Sequence, residues 1–171
     1  MINLSRFLFF VAGVAFLLTS FLAWQRQTAR GLPQQHALTN DSQPITVIIK
    51  ELKIKLPVYP TSLENEDWPT TSKGIFYLVD SAIPGEKGNS IFYGHNWPNL
   101  LGALAQAKKG QEIKVLLANG ELRRFVITKI NLITPDQTHV LSTTSEPFLT
   151  IYTCTGFLDR KRLIITAVLV S

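Results

Sequence analysis

The chain has 171 residues, 46% of them apolar, which suits one modest domain with a real core. Its formal charge of +5 is concentrated at the start, where Arg6, Arg26 and Arg30 lie; the remainder carries 14 basic against 12 acidic residues, so no basic face for nucleic acid is implied. A single cysteine excludes an internal disulfide.

The run Phe7 to Trp24 is 18 residues long and uncharged, just enough to cross the hydrocarbon core as a helix. We read residues 1–28 as an N-terminal membrane anchor. A cleaved signal peptide fits less well, because the apolar region is long and no small-x-small site follows it. Arginines flank the run on both sides, so positive charge does not settle its orientation. Residues 29–44, rich in Gln with Gly and two Pro, read as a polar tether holding a solvated His36.

The remaining residues, 45–171, read as the folded domain. Leu52, Ile54, Leu56 and Val58 alternate with Lys53, Lys55 and Pro57, the pattern of a half-buried strand ending near Pro60. A short strand is expected over Ile75 to Val79. Turn chemistry from Pro84 to Asn89 then launches a third strand, Ser90 to His95. Pro98, then Leu100, Leu101, Leu104 and Ala105, then Gly110 predict a short amphipathic helix. Gln111 to Ala118 and Glu121 to Ile130 predict a hairpin whose Asn119-Gly120 suits a type I′ turn. Closing strands are expected over Phe148 to Thr153 and Arg162 to Val170. Seven or eight strands joined mostly by turns favour an all-β barrel or sandwich with short helices.

The candidate chemistry centres on Thr150-Ile-Tyr-Thr-Cys154 and the arginines that follow. Alternation puts Thr150, Tyr152 and Cys154 on one face and Leu149, Ile151 and Thr153 on the other. If this run pairs with the next, the thiol and a guanidinium share one rim. A free thiol has a pKa near 8.5, so a working nucleophile needs nearby positive charge or a base. Arg160 and Arg162 share strand parity, and Arg162, directly before the apolar run, is preferred. His95, released by Gly94 from a strand apolar on both faces, is the best base candidate, with His139 second. The 17 residues after Cys154 contain no histidine, which rules out a papain-like order. No zinc-type Cys/His spacing, phosphate loop or serine nucleophile elbow is present.

Three motifs resemble those of the sortases, the cysteine transpeptidases of bacterial surfaces. Gly88-Asn-Ser-Ile-Phe-Tyr-Gly-His95 is similar to the family's Asn-x-x-Ile-x-Gly-His strand. Thr150-Ile-Tyr-Thr-Cys154 is similar to its Thr-Leu-x-Thr-Cys, with Ile151 in place of Leu. Arg162-Leu-Ile-Ile-Thr-Ala167 resembles its arginine followed five positions later by alanine. The resemblance implies a closed eight-stranded β-barrel, with Cys154 as nucleophile, His95 as its partner and Arg162 as stabiliser of substrate and oxyanion. It implies cleavage of a C-terminal sorting signal such as Leu-Pro-X-Thr-Gly and transfer to an amine, from a cell-wall precursor or a pilin lysine, by an extracytoplasmic domain on a single-pass membrane anchor. No cofactor is expected, and the acidic calcium cluster of some members cannot be identified. Asp67-Trp-Pro69 departs from the Asp-Pro-aromatic lid of pilus sortases, which argues against the pilus-polymerising class. The rival readings are a membrane-tethered cysteine endopeptidase that hydrolyses its acyl-enzyme and a non-enzymatic surface β-domain with Cys154 merely buried.

Overall fold

The computed structural model describes residues 40–62, 68–135, 145–156 and 160–170. The expected anchor, most of the tether, His36 and His139 lie outside them. Among the described residues no helix is long and apolar enough to cross a membrane.

Eight strands follow one another: β1 (Pro44–Ile49), β2 (Ile54–Thr61), β3 (Ile75–Leu78), β4 (Gly88–Gly94), β5 (Glu112–Leu117), β6 (Leu122–Ile133), β7 (Pro147–Thr155) and β8 (Lys161–Val170). They close into one barrel in the order β1, β2, β3, β4, β7, β8, β6, β5. Closure leaves no open edge among the described strands for another chain to pair with.

Period-two alternation fills the barrel. Val47 and Ile49 of β1, Ile54, Leu56 and Val58 of β2, Ile113, Val115 and Leu117 of β5, and Leu163, Ile165 and Ala167 of β8 all join one core cluster. Between the β2 members, Lys55, Pro57 and Tyr59 face outward and are exposed. β1 was not anticipated from the sequence. The β2 strand begins two residues later than its alternation suggested. Leu52 ends a 3-10 turn, Lys50–Leu52, which is capped by Lys53 in the left-handed region at φ 55°, and this turn reverses the chain from β1 into β2.

The hairpin of β5 and β6 forms where expected, but its turn differs from type I′. Gly120 is left-handed at φ 86°, while Lys53 alone among the described non-glycine residues has a positive φ, so Asn119 does not. Gly120 N–H donates to the Leu117 carbonyl at 3.0 Å and Glu121 N–H to Asn119 Oδ1 at 2.9 Å. This is a three-residue loop finished by a glycine bulge, which the same Asn-Gly pair also suits.

The expected amphipathic helix is a five-residue 3-10 helix, Gly102–Gln106. The preceding turn wraps tightly: Leu100 and Gly102 N–H both donate to the Trp97 carbonyl, and Leu101 N–H donates to that of His95. A Cβ on Gly102 would lie 2.7 Å from the Asn96 carbonyl oxygen, so only glycine permits this approach. Packing survives the change of helix type, since Leu100, Leu101 and Leu104 are buried in the core.

Two pairings are parallel, β2 with β3 and β4 with β7. Parallel neighbours end at the same rim of the barrel. That rim, at the C-terminal ends of β4 and β7, is where the candidate residues gather.

Candidate active site

The register fixes the site. In the parallel pair, Tyr93 lies opposite Tyr152 and Gly94 opposite Thr153. The residue that follows on each segment is His95, just past the end of β4, and Cys154, so the two candidates stand one step beyond the same register pair. Thr153, buried within the barrel, donates from Oγ1 to the Gly94 carbonyl at 2.8 Å and ties the two strand ends together. In the antiparallel pair of β7 and β8, Cys154 lies directly opposite Arg162. Directly opposed side chains have Cβ atoms about 4.5–5.5 Å apart. Among the described arginines the register therefore selects Arg162 over Arg160, which precedes β8.

Burial separates the two faces of β7 as the alternation predicted. Leu149, Ile151 and Thr153 are buried inside the barrel, whereas Tyr152 and Cys154, on the outer face, are half-buried. Thr150 shares that outer face but is fully buried, its Oγ1 donating to Asn89 Oδ1 at 2.8 Å. Cys154 is accordingly a partly exposed residue rather than a fully packed core one.

His95 is half-buried, its carbonyl held by the turn that follows. Its ring stacks on Trp97, with centroids 4.3 Å apart and planes within 2°. Arg162 is fixed at two donors: Nε donates to the Tyr152 hydroxyl at 2.7 Å and Nη1 to the Lys161 carbonyl at 3.1 Å. Its guanidinium carbon also lies 5.9 Å from the Tyr152 ring centre.

A train of aromatic rings approaches the rim over the outer face. Phe76 stacks on Tyr93 at 5.5 Å, Tyr93 meets the edge of Trp68 at 4.7 Å, and Trp68 stacks on Tyr152 at 5.5 Å. Burial pushes the Tyr93 hydroxyl up to about 12, with nearby Thr61 offsetting part of the shift.

Tyr152, Trp68 and Trp97 had been given no role in the site. Tyr152 was visible as an outer-face neighbour two residues before the thiol, and Trp97 as an aromatic two residues after the histidine. Trp68 was noted only because its stretch departs from the pilus-sortase lid; it reaches Tyr93 on β4 and Tyr152 on β7 from outside any strand. The second histidine candidate, His139, lies outside the described residues. Among those residues, no group of three or more His, Cys, Asp or Glu side chains is placed to hold a metal ion.

A half-exposed thiol opposite a tethered guanidinium, with an imidazole on the adjoining strand end, is an arrangement suited to nucleophilic attack on a carbonyl. Known proteins place the chain in a class. Sortase A from Bacillus anthracis is 27% identical over 124 residues, covering 71% of this chain and 56% of the relative, so the chain spans little more than half of that protein. The structure of sortase A from Corynebacterium diphtheriae superposes with a TM-score of 0.66 at 26% identity, over 75% of this chain and 62% of that one. Sortase C from Clostridium perfringens SM101 shares the fold at a TM-score of 0.62 and 19% identity, over 74% of this chain and 68% of the other.

Residues 47–170 match the sortase domain model, and the chain belongs to the sortase family.

Proposed function

We propose that the protein is a cysteine transpeptidase that cleaves a C-terminal sorting signal of the Leu-Pro-X-Thr-Gly kind and transfers the new carboxyl end to an amine. The observation that carries this reading is the double register: Cys154 opposite Arg162, and His95 one step beyond the Gly94–Thr153 pair.

In the reaction proposed, the Cys154 thiolate attacks the scissile carbonyl and forms a tetrahedral oxyanion, which the Arg162 guanidinium stabilises in a partly dry site. As the intermediate collapses the C–N bond breaks, His95 gives its proton to the departing amine, and a thioester on Cys154 remains. The incoming amine attacks that thioester, neutral His95 takes its proton, and an amide forms as the thiolate is released. Two half-reactions through one covalent intermediate predict ping-pong kinetics. The uncharged run Phe7 to Trp24 supports a membrane anchor, with the barrel acting on surface proteins outside the cytoplasm and joining them to a cell-wall precursor or a pilin lysine.

Intact-mass spectrometry of the full chain, incubated with a library of sorting-signal peptides, tests the proposal. The expected product is a thioester adduct on wild-type protein that is absent from Cys154→Ala. An adduct persisting in that variant would end the assignment. His95→Ala is expected to be nearly inactive and His139→Ala mildly affected; the reverse ranking would move the base. With an adduct in hand, addition of a glycine-rich or diaminopimelate-like amine should give a ligated product, and hydrolysis alone would favour the endopeptidase reading.

A further inference from the structure

Arg162 is the second residue of β8, at the rim, where a long side chain has many rotamers and much freedom to lose on being fixed. Its ring partner is not a direct register neighbour. Tyr152 lies opposite Ile164, so the phenol reaches Arg162 along the diagonal, a span within reach of an aromatic and a long side chain. The contact is a charge-assisted hydrogen bond, Nε to the phenol oxygen at 2.7 Å. Because the guanidinium is planar and rigid, this bond and the one from Nη1 to the Lys161 carbonyl together define the plane in which its remaining N–H groups lie.

The phenol is in turn held from the side away from β8. Trp68 stacks on it with planes 25° apart, and Trp68 itself stands edge-on, at 79°, against the buried ring of Tyr93. The contacts thus run from a tryptophan off the strands, through a tyrosine on the thiol's own strand, to the guanidinium opposite the thiol.

We infer that Tyr152 is a positioning residue for Arg162, orienting the guanidinium toward Cys154 before substrate arrives, and that Trp68 acts through it. The inference rests on the proposed role of Arg162, and the test separates the two. Cys154 is the chain's single cysteine, so iodoacetamide labelling read by intact mass reports the thiol alone and needs no substrate. A correctly placed guanidinium favours the thiolate, the form that alkylates.

In the full chain, Arg162→Ala should slow labelling at pH 7 and move the midpoint of the rate-against-pH curve upward. Tyr152→Phe keeps the ring and its stacking but removes the acceptor. It should slow labelling by about three- to tenfold and move the midpoint in the same direction, at a temperature where the variant is still fully folded. Trp68→Ala should slow it less, and the Trp68→Ala/Tyr152→Phe pair should be no slower than Tyr152→Phe alone, since both act through one bond.

Wild-type labelling in Tyr152→Phe beside slow labelling in Arg162→Ala overturns the inference and leaves the role of Arg162 standing. Fully additive effects in the double variant overturn the part given to Trp68. Wild-type labelling in Arg162→Ala removes the guanidinium from the thiol's surroundings and takes the proposed mechanism with it.

Discussion

The hairpin of β5 and β6 and the parallel pair of β4 and β7 are two ways of building the same barrel wall. The hairpin's fully buried residues are all apolar, among them Ile113, Val115, Leu117, Phe125 and Ile127, and its charged residues are each at least partly exposed. Glu112 reaches Arg124 at 2.5 Å and Lys114 at 3.1 Å, and these hydrogen bonds hold its carboxyl below the usual range. The parallel pair buries polar side chains beside its apolar ones. Among the described residues the buried polar side chains are Asn89, Ser90, Thr150 and Thr153, two from β4 and two from β7. Buried polar groups cost stability unless paired: Thr150 bonds Asn89 and Thr153 bonds the Gly94 carbonyl, whereas Ser90 Oγ is buried with no hydrogen-bond partner among the described residues. The hairpin gives its buried positions to apolar side chains alone, while the parallel pair gives some of its own to polar groups, among them the Thr153 hydroxyl beside the rim that carries His95 and Cys154.

Replacing Phe125 with Ala should therefore hurt the fold and spare the site. Its ring is fully buried on the hairpin side, and such truncations cost about 3–5 kcal/mol. Urea unfolding should show that loss, whereas labelling of Cys154 per folded molecule should match wild type at low denaturant. Slow labelling in the folded fraction would break the division between the two regions.

A smaller effect lies at alkaline pH, on β3 beside the parallel pair. Burial pushes the Tyr77 hydroxyl up to about 12 from an ordinary value of 10, and that hydroxyl donates to the Ser81 and Ala82 carbonyls at 3.3 and 3.1 Å. Because the folded value is the higher one, the stabilisation is fully present below pH 10 and is lost as pH climbs toward 12, by about 2–3 kcal/mol. Tyr77→Phe should be less stable at neutral pH and should show a shallower loss between pH 10 and 12. An unchanged alkaline slope would show that this hydroxyl does not carry it.

The same contrast explains what could be read from the chain alone. The hairpin was legible because its partners are close in sequence and its alternation is clean; only the conformation of Asn119 escaped, since the Asn-Gly pair suits two turn geometries. The pairing of Cys154 with Arg162 was legible for a similar reason, two β-prone runs joined by a short polar loop. The parallel pairing of β4 with β7 joins residues some sixty positions apart, as the Asn89–Thr150 bond shows, and no local pattern encodes that partner. β1 was missed because a short Ile-Thr-Val run directly follows the polar tether and begins at Pro44. The helix expected after Pro98 has the right apolar spacing, but the close approach of Gly102 to Asn96 and Trp97 is a tertiary fact that tightens it to 3-10. Tyr152 was placed on the correct face, yet its bond to Arg162 depends on a diagonal that exists only once β7 and β8 are in register.

The finest test of the comparison is Thr153→Val. Valine keeps the shape and removes the hydroxyl that donates to the Gly94 carbonyl at 2.8 Å, one residue before the thiol on β7 and one before the histidine on β4. By its effect on folding the bond is ordinary, and its loss should lower stability by about 1 kcal/mol. Its position is not ordinary, because it fixes the spacing of the two strand ends. The variant should therefore label Cys154 normally, as the guanidinium lies on β8, but should lose transfer activity at temperatures where it is fully folded, because the imidazole lies on β4. A Phe125→Ala protein compared at the same folded fraction should keep that activity. If Thr153→Val loses stability and retains full transfer, the buried hydroxyl serves only the fold, and the polar interior of the parallel pair needs another explanation.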